Sequence, residues 1–238
     1  MNHPVDCDEI VIVERRFRGP PDSGNGGYVS GLLAAHMEGP AEVTLRQPPP
    51  LEKELCIKQL AEGQFHLLDN ETLIAEGRPG QVQVEAPRCL SFEAAQLASR
   101  AYEEHENHNF TTCFVCGPGR SDGLRIFAGP VPGRQLVAAA WIPPTWIADE
   151  HGFIQEKYLW AALDCPGYYA TLEVDDSLKV LGRMTADVMA SVRPGMKLVA
   201  MGWHRSNEGR KYFVGTALCG EGGEVVARAE AVWIKLEE

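Results

Sequence analysis

The order of predicted elements in the first half of the chain recurs in the second half, and this repeat most constrains the fold. Each half indicates a strand, a loop rich in glycine or proline, one buried helix and a run of strands separated by short turns. A single apolar helix beside one curved antiparallel sheet is almost completely buried. We therefore expect an α+β protein of two such units, which pair edge to edge and so cover an exposed strand of each.

The predicted helices are Tyr28–Met37, a stretch within Phe153–Leu172, and Ser91–Tyr102, which has Ser91 as its N-cap. Strands are predicted at Ile10–Val13, Glu42–Leu45, Glu54–Leu60, Gln64–Leu68, Leu73–Glu76, Leu124–Phe127, Leu136–Trp141, Gly182–Ser191, Lys197–Arg205, Lys211–Cys219 and Val225–Leu236. Residues 81–85 alternate apolar and polar side chains. The predicted division is an N-terminal unit over 1–90, a connector over 91–109 and a C-terminal unit over 110–238. Pro166 is expected to kink or end its helix.

Charge and composition exclude several classes of protein. The 22 basic and 33 acidic side chains give a net charge of −11, which opposes nonspecific binding to nucleic-acid phosphates. No apolar stretch is long enough to span a bilayer, and the first residues lack the pattern of a secretory signal. The seven cysteines are an odd number and too few for a disulfide scaffold, so we expect reduced thiols and a cytoplasmic protein.

Short motifs in both halves resemble those of the hotdog-fold thioesterase superfamily. Cys113-Phe114-Val115-Cys116-Gly117-Pro118, followed by Gly123-Leu124, is similar to the opening of PaaI-type hotdog modules. Ala161-Ala162-Leu163-Asp164 looks like the acid-bearing part of their central helix. Asn25-Gly26-Gly27 resembles the His-Gly-Gly that begins this helix, with Asn in place of His. The resemblance implies a double hotdog, in which each unit wraps a curved antiparallel sheet around a long central helix.

The resemblance also implies an activity, the hydrolysis of acyl-CoA or a related acyl thioester. In the family a helix carboxylate acts as nucleophile or as general base for water. Backbone N–H groups at the start of the partner unit's helix polarise the thioester oxygen. No metal or redox cofactor is implied, and coenzyme A would enter only as part of the substrate.

Family spacing places the acid nine residues after the His of His-Gly-Gly. Nine residues after Asn25 is Ala34, so the first half has the glycine turn without an acid. Nine residues before Asp164 is Gln155, followed by Glu156 and Lys157, so the second half has the acid without the glycines. Because family sites form between units, this pattern predicts one composite site. In it, Asp164 is the base or nucleophile, Gly26 and Gly27 donate N–H groups to the oxyanion, and Asn25 orients the carbonyl or water.

Other residues are candidate substrate contacts. Tyr28 and Glu156 lie at the starts of the two helices, and Glu156 could also assist as an acid or base. Arg205, Arg210 and Lys211 cluster about one predicted hairpin and could receive the phosphates of coenzyme A. The expected partner is a small acyl thioester, with neither nucleic acid nor membrane. Association into homo-oligomers is also expected to be possible, because hotdog sheets often stack.

Two alternative functions remain open at this stage, and a metal site is also considered. The incomplete pairings could leave a hotdog protein that binds an acyl thioester or another apolar ligand without turnover. A hotdog hydratase or dehydratase would need a histidine against the acyl chain, for which His36 and His151 are the nearest candidates. Cys113 and Cys116 with His105 and His108 have a spacing that could bind zinc. The family opening already explains these cysteines, so no metal site is expected.

Overall fold

The computed structural model describes residues 7–103 and 109–237. The elements before residue 109 are β1 (Glu9–Ile12), α1 (Gly26–Ala34), β2 (Ala41–Leu45), β3 (Glu54–Ala61), β4 (Gln64–Asp69), β5 (Thr72–Pro79) and α2 (Phe92–Glu103). Those after it are β6 (Gly129–Pro130), β7 (Val137–Trp141), α3 (Glu156–Leu172), β8 (Lys179–Val188), β9 (Leu198–Glu208), β10 (Lys211–Cys219) and β11 (Val225–Lys235). Short 3-10 turns occur at Arg15–Phe17 and Thr145–Ile147.

The strands form one antiparallel sheet in the order β1-β3-β4-β5-β2-β8-β11-β10-β9-β7-β6. The two halves meet where β2 pairs with β8, in a register that runs from Ala41 opposite Ala186 to Thr44 opposite Arg183. This pairing confirms the expectation that the halves join edge to edge, and it removes one exposed edge from each. The α+β class predicted from the sequence is also confirmed. The proposed unit boundaries at residues 90 and 110 stay a prediction.

Helices α1 and α3 pack against each other on one face of the sheet. Glycines allow the close approach, because a Cβ at Gly31 would lie 2.6 Å from Lys157 Cα and a Cβ at Gly27 would lie 2.7 Å from the Trp160 carbonyl oxygen. Trp160 is only 1% exposed. The crossing of the two helices therefore brings the start of α1 against the middle of α3.

The opposite face of the C-terminal strands is covered by α2. Alternate residues of β9 point to the two faces: Ala200 belongs to the core around α3, and Met201 belongs to a second core beside α2. The second core also contains Phe92 and Val82. Ser91 caps α2 as predicted, its Oγ accepting from the Ala94 N–H at 3.2 Å. The connector therefore covers the sheet as well as joining the halves.

One predicted strand is wrong. Leu124–Phe127 is not a strand, although the Leu124 and Ile126 N–H groups donate to the carbonyls of Phe114 and Val115. Arg125 interrupts the ladder because its φ of 56° is incompatible with extended backbone. The alternating segment 81–85 also forms no ladder; it crosses the outer face of the second half and buries Val82 there.

Pro166 does not end its helix. α3 continues to Leu172, six residues further, although Pro166 has no N–H to donate. Burial explains why the helix persists: every residue from Tyr158 to Thr171 is buried, so packing against the sheet outweighs the lost hydrogen bond. The expectation that Pro166 could end its helix is therefore wrong.

Four cysteines form two disulfide bonds, Cys7–Cys56 and Cys89–Cys219. The expectation that all seven thiols are reduced is wrong for these four, and the cytoplasmic location stays a prediction. The other three, Cys113, Cys116 and Cys165, are free and buried. No helix within residues 7–103 and 109–237 is long and apolar enough to cross a membrane.

Candidate functional site

The fold places the glycine turn of the first half against the carboxylate of the second. Asp164 lies in the middle of α3 and is 3% exposed. Its Oδ2 accepts two hydrogen bonds from the first half, one from Asn25 Nδ2 at 2.7 Å and one from the Gly27 N–H at 3.1 Å. The residues that the sequence predicted to form a composite site are therefore in direct contact, and their chemical roles stay a prediction.

Asn25 is oriented by its position as the N-cap of α1. Its Oδ1 accepts the Tyr28 N–H at 2.9 Å, which satisfies one of the free donors at the helix start. Because the amide oxygen is engaged there, the amide nitrogen points toward Asp164. The same Nδ2 lies 3.9 Å from Cys113 Sγ. Capping and positioning are thus performed by one side chain, which is 2% exposed.

Position 27 requires glycine for steric reasons. A Cβ there would lie 2.5 Å from the Asp164 Cβ, closer than real side chains approach each other. Because Gly27 has no side chain, the α1 backbone comes close enough to α3 for the Gly27 N–H to reach the Asp164 carboxylate. The first turn of α1 carries no acidic side chain, so its positive end faces Asp164 without local competition.

The two oxygens of Asp164 have different surroundings. Oδ2 is held by Asn25 and Gly27, whereas Oδ1 is buried and has no hydrogen-bond partner among the described residues. Burial raises the pKa of Asp164 to about 7, although the hydrogen bonds from Gly27 and Asn25 oppose this rise. A carboxyl group of this kind can take up or release a proton near neutral pH.

Asp164 lines a cavity of about 420 Å³. The cavity wall is mostly apolar and comes from the loop before α1, the proline-rich turn after β2, and parts of α3, β8 and β11; its members include Gly26, Pro48, Pro49, Phe110, Cys113, Cys116, Cys165, Tyr168, Leu181, Trp233 and Ile234. A cavity of this size that is apolar apart from a few convergent polar groups is typical of a small-molecule site.

Gly26 is the predicted site residue best placed to donate to a ligand. It is the first residue of α1, so its N–H has no acceptor within the helix by position. It also lines the cavity, unlike Gly27, whose N–H is directed to Asp164. The structure therefore separates the two glycines that the sequence had assigned the same role.

Tyr28 and Glu156 do not line this cavity. The Tyr28 ring stacks on Phe17 with centroids 4.2 Å apart and belongs to the aromatic core between the helix starts. Glu156 lies two turns from Asp164 on α3, where its Oε1 accepts from Trp160 Nε1 at 3.4 Å and burial raises its pKa. Direct substrate contact through either side chain has no support in this geometry.

The predicted basic cluster lies elsewhere on the surface. Arg205 Nη1 lies 2.9 Å from Glu230 Oε2, and Arg210 Nη1 lies 2.6 Å from Glu237 Oε1, so both form ion pairs. Lys211 is exposed at the start of β10. The cavity instead has Arg46 and Lys179 in its wall. Lys179 Nζ is directed to the carbonyls of Asp175 and Ser177, at 2.6 and 2.9 Å.

Sequence reasoning missed Cys165 and Tyr168 as cavity residues. Both follow Asp164 on α3. Tyr168 lies four positions after Asp164 and three after Cys165, and this spacing could have indicated neighbouring places on the helix surface. Neither histidine considered for a hydratase lines the cavity. His36 Nε2 lies 3.6 Å from Glu9 Oε2, and His151 is exposed beside Glu150. His105 and His108 lie outside the described residues.

Comparison with solved structures supports the fold assignment. A tesB protein from Mycobacterium avium subsp. paratuberculosis matches with a TM-score of 0.63 and 12% identity, covering 96% of this chain and 92% of that one. A provisionally named thioesterase II from Thermobifida fusca matches with a TM-score of 0.63 and 15% identity, covering 96% and 93%. An acyl-CoA thioesterase II, TesB2, from Mycobacterium marinum matches with a TM-score of 0.61 and 12% identity, covering 96% of this chain and 93% of that one.

These matches span nearly the whole of this chain and of each matched chain. No protein-family model and no curated protein matches the sequence. The resemblance to hotdog-fold thioesterases is therefore confirmed at the level of the fold. At such low identity the matches establish the fold and leave the chemistry of the site to its own residues.

Proposed function

We propose that this chain is a double hotdog that hydrolyses an acyl-CoA or a related acyl thioester at one composite site. The observation that carries the proposal is the contact of Asp164 Oδ2 with Asn25 Nδ2 and the Gly27 N–H. The buried Oδ1 has no hydrogen-bond partner among the described residues, and Asp164 belongs to the cavity wall. The name of the Mycobacterium marinum protein, acyl-CoA thioesterase II, supports the same substrate class.

In the proposed reaction the thioester carbonyl lies against the start of α1. The Gly26 N–H and the positive end of the helix stabilise the negative charge that develops on the carbonyl oxygen. Asp164 Oδ1 acts either as a general base that takes a proton from water or as a nucleophile on the carbonyl carbon. In both routes the C–S bond breaks, and the thiolate leaves and gains a proton. With Asp164 as base, the attacking water forms the acid directly; with Asp164 as nucleophile, a mixed anhydride forms, and water then cleaves it to release the acid and restore the carboxylate.

Asn25 and Gly27 have a positioning role in this scheme. Their donors fix Oδ2 and so direct Oδ1 toward the bound thioester. The apolar cavity wall fits an acyl chain or the pantetheine arm, and it excludes water from the reacting atoms. The step uses side chains and backbone groups of this chain together with one water molecule.

The test is thiol release from a panel of short, long and aromatic acyl-CoAs, by the native chain and by Asp164→Asn. We expect turnover of at least one substrate by the native chain. In Asp164→Asn we expect kcat to fall by about 10²–10⁴-fold, because the side-chain amide of asparagine cannot act as a base or nucleophile. Asp69→Asn is the matched control, since Asp69 pairs with the exposed Lys53 and neither residue lies in the cavity wall.

Turnover that Asp164→Asn leaves unchanged would contradict the site. Tight binding of acyl-CoA with no turnover of any panel member would contradict hydrolysis and favour the binding-protein alternative. Addition of water to an enoyl-CoA without thiol release would instead indicate a hydratase.

A further inference from the structure

Three cysteines beside Asp164 have no part in the proposed hydrolysis. The Sγ atoms of Cys113, Cys116 and Cys165 lie within 4.8 Å of one another, and those of Cys113 and Cys165 are 3.7 Å apart. All three residues are buried and all line the cavity. The other four cysteines form disulfide bonds, whereas these three are free.

The sulfur positions suit a tetrahedral metal ion. Zinc–sulfur bonds of about 2.3 Å in a tetrahedral site place two sulfurs about 3.8 Å apart. The Cys113–Cys165 separation of 3.7 Å already matches this value. Since each separation is at most 4.8 Å, adjustments of about 1 Å would bring the third sulfur into range.

A tight backbone turn brings the first two sulfurs together. The Gly117 N–H donates to the Cys113 carbonyl at 2.9 Å, which closes the segment between Cys113 and Cys116. A Cβ at Gly117 would lie 2.6 Å from Cys113 N and O, so this turn requires glycine. The third sulfur comes from Cys165 on α3, a separate element held against the turn by the core.

Hydrogen-bond donors surround the sulfurs. The Val115 N–H lies 3.4 Å from Cys113 Sγ, Asn25 Nδ2 lies 3.9 Å from the same sulfur, and Tyr169 OH lies 3.8 Å from Cys116 Sγ. A neutral thiol is a weak acceptor, whereas a metal-bound thiolate carries charge that such donors stabilise. These donors therefore supply the outer shell that a thiolate site needs.

We propose that Cys113, Cys116 and Cys165 bind one zinc ion, whose fourth position opens into the cavity. Binding converts three thiols to thiolates, and the three protons pass to solvent, so the loaded site carries a net charge of −1. The sequence analysis expected no metal here, because the resemblance to the family opening already explained Cys113 and Cys116, and Cys165 was not among the ligands considered. The proposal needs neither His105 nor His108, and it stands independently of the proposed hydrolysis.

The test uses the purified full chain without reductant, so that both disulfide bonds stay formed. We first measure zinc content by mass spectrometry, then remove the metal with a chelator and titrate with Co²⁺. We expect one ion per chain, with a sulfur-to-cobalt charge-transfer band that Zn²⁺ abolishes. The intensity of this band increases with the number of thiolate ligands, so the native protein alone tests the three-sulfur site.

Each of three single variants is expected to weaken Co²⁺ binding at least tenfold and to reduce the charge-transfer band: Cys113→Ser, Cys116→Ser and Cys165→Ser. The matched control is the double variant Cys89→Ser/Cys219→Ser, which removes two sulfurs at a distant disulfide and should bind as the native chain does. The proposal would be overturned if the native protein shows no charge-transfer band, or a band whose intensity corresponds to two thiolate ligands or fewer. Full binding by folded single variants would also overturn it.

Discussion

The two helix starts occupy matching places in the two halves and differ in what they can do. At the start of α1, Asn25 and Gly27 donate hydrogen bonds to Asp164 of the other half. At the start of α3, the Gln155 side chain does not cap the helix. The α1 residue that corresponds to Asp164 is the buried Ala34, which has no carboxylate. Only the first arrangement joins a helix start to a carboxylate.

Steric requirements explain why this difference is stable. At Gly27 a side chain would overlap Asp164, whereas the matching position is Lys157, whose backbone packs on Gly31. Glycine is therefore needed on α1 at both contact points, and α3 can carry larger residues. The start of α1 thus contacts the carboxylate, whereas the start of α3 serves the packing of the two helices.

The outer faces of the two halves also differ. The N-terminal strands present ion pairs such as Arg78–Glu42 and Arg46–Glu76 to solvent. The C-terminal strands are covered by α2 and by the segment before it. The difference shows that the repeat of elements did not preserve equal surroundings for the two sheet halves.

The strongest test of the difference between helix starts is removal of the Gly26 N–H. Gly26→Pro is expected to lower kcat for thioester hydrolysis by about 10²–10³-fold, because it deletes an oxyanion donor. Proline is well tolerated at the first position of a helix, and Asn25 already has the extended backbone that a following proline requires. Kinetics should be accompanied by thermal unfolding.

Gly26→Ala is the matched control for this variant. It adds the same Cβ, which meets Leu181 Cδ2 at 2.9 Å, and retains the N–H. An equal loss of activity in both variants would show that crowding, rather than the donor, explains the effect.

The outer faces can be compared through stability. Phe92→Ala should lower the free energy of unfolding by about 3 kcal/mol, because Phe92 is 9% exposed in the core beneath α2. Leu60→Ala on the bare face should change it by less than about 0.5 kcal/mol, since Leu60 is 52% exposed. Denaturant titration measures both, and equal effects would refute the role of α2 as a cover.

The smallest effect is expected at the start of α3. Gln155→Ala should leave kcat/KM for thioester hydrolysis unchanged, because Gln155 Nε2 contacts only the Ala148 carbonyl at 3.4 Å among the described residues, away from the cavity. Acyl-CoA kinetics under the conditions used for Gly26→Pro provide the measurement. A loss comparable to that of Gly26→Pro would indicate a second working site and contradict the asymmetry.

Much of the fold could be predicted from periodicity and turn residues alone. The resemblance to family motifs indicated Asp164 and Asn25, and the family's nine-residue spacing predicted that they share one site; the structure brings Asn25 Nδ2 to 2.7 Å from Asp164 Oδ2. Pro166 could not be predicted correctly, because its cost is local and the packing that outweighs it comes from strands distant in sequence. The cluster with Cys165 was missed for the same reason, since its members are 52 residues apart.

The most direct test of the composite site is a double-mutant cycle on kcat/KM with Asn25→Ser and Asp164→Asn. Serine retains the oxygen that caps α1 and removes the amide donor to Asp164. If the two residues act as one unit, the double variant will be no slower than Asp164→Asn alone. If the two losses multiply, Asn25 and Asp164 act independently, and the proposed composite site is contradicted.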